Sequence, residues 1–158
     1  MKNRTQAGFT LVELIVVIVI LGILAAVALP RFMGLEKEAR IAAVKSMGGT
    51  MLSAANMAHG VCMAQNCAPG ATLTIAGQAG IVFTNSYPNN ASIQKLLQST
   101  DGFTVSAGGN RMTKPGAQAG CWVQYNAPTV AGNEPTLQYN AGAAATQAAI
   151  DADLRVQC

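Results

Sequence analysis

Phe9–Leu29 reads FTLVELIVVIVILGILAAVAL, and of its 21 residues only Thr10, Glu13 and Gly22 are not apolar. As one helix this run would span about 31 Å, the thickness of one hydrocarbon core. The eight residues before it, MKNRTQAG, are polar and carry Lys2 and Arg4. That bias favours a cytoplasmic amino terminus and export of everything that follows.

The chain is 158 residues long, 51% apolar, 11% charged, with a formal charge of +3. Outside Phe9–Leu29, 62 of 137 residues are apolar, about 45%, but Leu, Ile, Val and Phe number only 22. That is lean for a self-sufficient core and disfavours an ordinary cytosolic enzyme. Two of the three net charges lie in residues 1–8, and from Gly60 onward basic and acidic residues number four each. Such a balance gives little electrostatic ground for nucleic-acid binding.

Two processing routes compete for the apolar run. Ala26-Val27-Ala28 could serve as a secretory cleavage site, although Glu13 within the run and Pro30 just after it argue against that. The other route cuts before the run and keeps it. The stretch Gly8-Phe9-Thr10-Leu11-Val12-Glu13-Leu14 resembles the processing site of type IV prepilins and related pseudopilins, and Gly8–Pro30 as a whole is similar to their amino-terminal helix. The resemblance implies cleavage between Gly8 and Phe9 by a membrane-embedded prepilin peptidase, and N-methylation of Phe9. The catalytic aspartates belong to that peptidase, so the chain itself is expected not to be an enzyme.

A carboxylate in a bilayer segment costs about 2.5–3.5 kcal/mol on insertion scales and calls for a partner. After cleavage the Phe9 amine is cationic and lies four residues from Glu13. The resemblance implies that Glu13 pairs with the amino terminus of a neighbouring subunit during assembly. The alternative is a protonated or snorkelling Glu13.

The apolar pattern continues beyond the run. Phe32, Leu35, Ala39, Ala43, Met47, Met51, Ala54 and Ala58 step by three or four, which predicts one helix from about Phe9 to about Ala58, stopping near Gly60. Gly22 and Pro30 interrupt it; the resemblance implies that the stretch between them unwinds in a filament. Gly48-Gly49 is read as a close approach of the helix to a sheet.

The remainder reads as short strands and loops. Strands are expected at Thr72–Ala76, Gly80–Thr84 (joined by Gly77-Gln78-Ala79), Phe103–Ser106, Cys121–Asn126 and Pro135–Asn140. Ser92–Gln98 reads as a short helix, Ala143–Ala152 has helix propensity, and Gly108-Gly109 and Lys114-Pro115-Gly116 are turn signals. The fold class is α+β, and the resemblance implies the type IV pilin fold, a long amino-terminal helix on a small antiparallel sheet. The expected division is a leader at 1–8, a membrane and filament-core half-helix at 9–29, an amphipathic half-helix at 30–59 and an exported head at 60–158.

Four cysteines, Cys62, Cys67, Cys121 and Cys158, lie beyond the apolar run, where export places them under oxidising conditions. Three pairings are open, and Cys62–Cys67 with Cys121–Cys158 is favoured. The second would tie the last residue to a strand and contribute about 4 kcal/mol by the chain-entropy estimate. The resemblance supports it, since many type IV pilins enclose a carboxy-terminal region in a disulfide. The run from Cys121 to Cys158 is most similar to the end of mannose-sensitive haemagglutinin-type pilins.

No cofactor is expected. With His59 as the sole histidine, no two-His metal site can form, and His59 itself reads as a helix C-terminal cap. A thiolate zinc site lacks its paired CxxC spacing, and Asp151-Ala152-Asp153 reads as a solvated turn rather than a calcium loop. Asn90-Ala91-Ser92 matches a glycosylation sequon.

The expected function is a structural subunit, the major pilin, of a type IV pilus acting in adhesion, biofilm formation or twitching motility. Its partners would be copies of itself, the prepilin peptidase and methyltransferase, and, indirectly, an assembly platform with its ATPases. It would sit in the inner membrane as a prepilin and then in a cell-surface filament. The receptor is unspecified. The alternatives are a type II secretion pseudopilin and a minor or competence pilin; for the latter, DNA binding finds little support in the charge balance.

Overall fold

The computed structural model describes residues 9–117, 120–140 and 147–158. The leader at 1–8 with Gly8, and residues 143–146 of the second expected helix, lie outside the described residues. The chain forms two compact units, Met1–Glu36 and Lys37–Cys158.

Helix α1 runs Leu11–Ala64 and contains Pro30. It extends past the expected stop at Ala58, so Gly60 does not end it. The stop is a Schellman motif built on Asn66, whose φ of 48° is left-handed. The Cys67 N–H donates to the Cys62 carbonyl (3.0 Å) and the Asn66 N–H to the Met63 carbonyl (3.2 Å). Such motifs usually add an apolar contact between their first and last residues; here those two residues are Cys62 and Cys67, joined by a disulfide. The bridge therefore clamps the last helical turn rather than closing a loop after it.

In the first unit the helix starts with a capping box. The Glu13 N–H donates to Thr10 Oγ1 (3.3 Å), while the Thr10 N–H (2.9 Å) and hydroxyl (2.8 Å) both donate to Glu13 Oε2. Among the described side chains from Leu11 to Leu35 the large apolar ones are exposed around the whole circumference, Phe32 and Leu35 included. The expected interruption at Gly22 and Pro30 is not present in α1; a proline removes one donor, and the turns on either side keep theirs.

In the second unit the buried stripe of α1 is Ile41, Val44, Met47, Met51, Ala54, Ala55, Ala58 and Cys62. The expected stripe coincides from Met47 onward. Toward the amino end it differs: Ala39 is exposed and the aliphatic Ile41 and Val44 are buried instead.

Two antiparallel sheets cover this stripe. The first comprises β1 (Thr72–Ile75), β2 (Gln78–Thr84) and β3 (Tyr87–Pro88) in that order. Both of its hairpins turn on two residues with positive φ, Ala76-Gly77 and Asn85-Ser86, the requirement of a type I′ turn. The expected three-residue link Gly77-Gln78-Ala79 is thus shortened, because Gln78 already pairs with Ile75. Ile75, Ile81 and Phe83 pack on Ala58 and Cys62.

A 3₁₀ turn at Ile93–Leu96 leads to the second sheet. This is β4 (Thr104–Val105), β5 (Arg111–Lys114), β6 (Cys121–Asn126) and β7 (Thr136–Tyr139), again in sequence order. Its inner residues Met112, Cys121, Val123 and Tyr125 join Ile41–Ala55 of α1 in one core. Strand β5 was not foreseen. Its RMTK sequence carries one buried apolar side chain, Met112, too little periodicity to read.

Helix α2 spans Gln147–Gln157 and contributes Leu154 to the core. Asp151 and Asp153 are thus helical, which corrects the turn reading. Asp151 pairs with Lys45, and Arg155 Nη1 bonds Glu38 Oε1 at 2.7 Å.

Candidate functional site

The residues expected to act in processing and assembly all belong to the amino-terminal segment. Phe9 is 91% exposed. Glu13 occupies the third helical position, where its carboxylate meets the positive end of the helix dipole. Apart from the adjoining backbone of its own helix, no atom lies within 4 Å of where a Cβ on Gly22 would stand. Pro30 sits within α1. An 18-residue window of this segment has a mean hydropathy of 3.1, and none of it is buried. It is long and apolar enough to cross a membrane.

A helix apolar all round, with no covering layer of its own, is a membrane span or the centre of a bundle. Exposed aliphatic surface of this extent is costly in water, at about 25 cal/mol per Å², and is removed by lipid or by other helices. Sequence reading did not foresee the role of Thr10. The signal was present, since Thr-x-x-Glu before an apolar run is the capping-box pattern.

Both disulfides are present in the second unit: Cys62–Cys67 with Cα atoms 5.0 Å apart, and Cys121–Cys158 at 4.7 Å. The latter joins the first residue of β6 to the end of the chain. Asn140, 1% exposed, reinforces that corner. The Trp122 N–H donates to Asn140 Oδ1 (3.0 Å), and Asn140 Nδ2 donates to the Asp153 carbonyl of α2 (3.4 Å). A left-handed φ of 52° lets Asn140 make these bonds just past β7.

His59 is not a helix cap. It lies five residues before the end of α1, and its ring stacks on Tyr87 at 4.1 Å with 5° between planes. Its Nδ1–H donates to the Ser86 carbonyl at 2.9 Å, which holds the left-handed Asn85-Ser86 turn. Among the described residues no group of three or more His, Cys, Asp or Glu side chains could hold a metal.

The long helix, its unburied apolar segment and the antiparallel head define the class: subunits that are anchored or bundled through the amino terminus and carry a disulfide-stapled head. Residues 3–29 match the prokaryotic N-terminal methylation motif. The chain is 37% identical over 111 residues to the type IV narrow pilus major component PilA5 of Thermus thermophilus, covering 67% of this chain and 91% of that protein. It is 33% identical over 104 residues to fimbrial protein EcpC of Eikenella corrodens, covering 63% and 68%. The type II secretion system core protein G of Pseudomonas aeruginosa is 49% identical over 45 residues, but over only 28% of this chain and 32% of that protein. No solved structure matches. The chain belongs to the type IV pilin family.

Proposed function

We propose that the chain is the major subunit of a type IV pilus, which acts in surface attachment, biofilm formation or twitching motility. The observation that carries this reading is the apolar helix from Leu11 to Leu35, exposed on all sides. It suits a subunit held in the inner membrane as a prepilin and then buried among copies of itself in a surface filament. Cleavage between Gly8 and Phe9 by a prepilin peptidase, followed by methylation, frees a cationic amine at Phe9. Glu13 Oε2 is engaged by Thr10, and Oε1 is left to receive the amine of a neighbouring subunit. In that low-dielectric bundle neither charge is stable alone. The Gly22–Pro30 stretch is where packed subunits would unwind.

The test is a deletion strain examined for filaments, with sheared filaments identified by mass. Recovery of this chain as the bulk protein, beginning at Phe9, is expected. Glu13→Ala is expected to abolish or sharply reduce assembly; normal filaments from that variant would end the pairing assignment.

A second reading, a type II secretion pseudopilin, draws on the identity to core protein G. It is weaker because that match covers a third of the relative, whereas PilA5 is matched over 91% of its length. Normal filaments together with a secretion defect in the deletion strain would reverse the preference.

A further inference from the structure

The outward face of the second sheet carries an arginine held in a fixed pose with no acidic partner. Arg111 stands directly opposite Gln124, which stands opposite Gln138 on the next strand. Side chains at paired positions share a face, so these three form a row across β5, β6 and β7. Thr113 and Trp122 are paired in the same way, and Trp122 lies two residues from Gln124, again on this face.

Three contacts fix the guanidinium. Its plane lies over the Trp122 ring with Cζ 4.1 Å from the centroid. Its Nε–H donates to Gln124 Oε1 at 2.9 Å. Gln124 is oriented in turn by donating from Nε2 to Asn126 Oδ1 at 2.9 Å. Among the described residues no hydrogen bond engages the two Nη atoms, which can grip a carboxylate end-on through two parallel bonds. None of the four strands contains Asp or Glu, and among the described residues no carboxylate pairs with Arg111. The surrounding groups are amides and hydroxyls, Gln124, Asn126, Gln138 and Thr113, over a patch about 10 Å across three strands.

We propose that this face binds a uronate-bearing polysaccharide, with Arg111 on the carboxylate and the amide row on the sugar hydroxyls. One cation among uncharged donors and acceptors complements a polymer that repeats one carboxylate among many hydroxyls. It does not suit a chain that carries several sulfates per repeat or a phosphodiester backbone, either of which calls for several cations. A single-stranded nucleic acid needs several cations and open aromatic faces; this face has one cation, and it occupies the ring of its one tryptophan. The proposal concerns the head alone and goes beyond filament formation.

The test uses the full-length chain in mild detergent, so the result does not depend on whether filaments form. Polygalacturonate is expected to bind, and its methyl-esterified form, whose carboxylates are blocked, is expected to bind at least tenfold more weakly. Arg111→Gln should lower polygalacturonate binding at least tenfold with an unchanged far-UV circular dichroism spectrum. Arg111→Lys should not restore it, because an ammonium lacks the planar fork. Lys95→Gln, whose ammonium bonds the Gly80 carbonyl instead, should leave binding unchanged. No binding of polygalacturonate, equal binding of the ester, unchanged binding by Arg111→Gln, or a preference for heparin or oligo(dT) would each overturn the proposal.

Discussion

The phenol of Tyr139 lies directly against Gly48 of α1, where even a single Cβ would collide with its hydroxyl and press on Leu137. Gly49, the next residue, is exposed, and apart from the adjoining backbone of its own helix nothing lies within 4 Å of where its Cβ would stand. The two glycines therefore separate. Gly48→Ala is expected to destabilise the head by roughly 1–3 kcal/mol through overpacking. Gly49→Ala should be neutral or stabilising by up to about 1 kcal/mol, the helix propensity gain. Denaturant midpoints of the two variants, measured side by side, check this; equal effects would remove the close-approach assignment.

The two disulfides should differ in worth. By loop-closure entropy the Cys62–Cys67 bridge, with a sequence separation of 5, contributes about 2 kcal/mol, and Cys121–Cys158, with a separation of 37, about 4. Cys121→Ser with Cys158→Ser is thus expected to lower the melting temperature more than the other double replacement. Hydrogen exchange should show the Cys62/Cys67 double variant opening locally at the last turn of α1, since that bridge clamps a helix cap.

Asn140 combines a left-handed backbone with two side-chain bonds, to the Trp122 N–H and the Asp153 carbonyl. Asn140→Ala loses the bonds and strains the backbone; Asn140→Gly loses only the bonds. The expected order of stability is wild type, then glycine, then alanine, with alanine down by roughly 2–3 kcal/mol. Urea unfolding that ranked alanine above glycine would show that the backbone conformation carries no cost.

Burial, and to a smaller extent the charge of Tyr87, push the phenol of Tyr125 well above its usual range, and its hydroxyl donates to the Pro88 carbonyl at 2.9 Å. The unfolded phenol ionises near pH 10 while the folded one stays protonated. Above that pH the unfolded state holds fewer protons, so stability is fully present below about pH 10 and falls as pH rises further. Tyr139 is raised by burial in the same direction. Tyr125→Phe should be less stable at pH 8 by about 1 kcal/mol for the lost bond, and its stability should fall less steeply between pH 9.5 and 11. Parallel slopes in that window would argue against a protected phenol.

Much of this protein is written locally. The 21-residue apolar run with its basic leader, the Thr10-x-x-Glu13 pattern and the helical spacing from Met47 to Ala58 each depend on neighbours within one or two turns. That is why the α+β class, the long helix and the family resemblance were legible from residues alone. The strands with clear alternation, such as Cys121–Asn126, were legible for the same reason.

Long-range pairing decided the rest. Strand β5 exists because Met112 and Thr113 find Val123 and Trp122 beside them, not because RMTK favours a strand. Helix α1 continues through Gly60 to Ala64 because the Asn66 cap and the Cys62–Cys67 bridge supply a stop further on. His59 belongs to Tyr87 and Ser86 across 27 or 28 residues rather than to a helix end. The Arg111–Trp122–Gln124 cluster forms only when β5 and β6 fall into register. Period and composition report the face a residue prefers; which partner occupies that face is settled when distant segments pack and exclude water together.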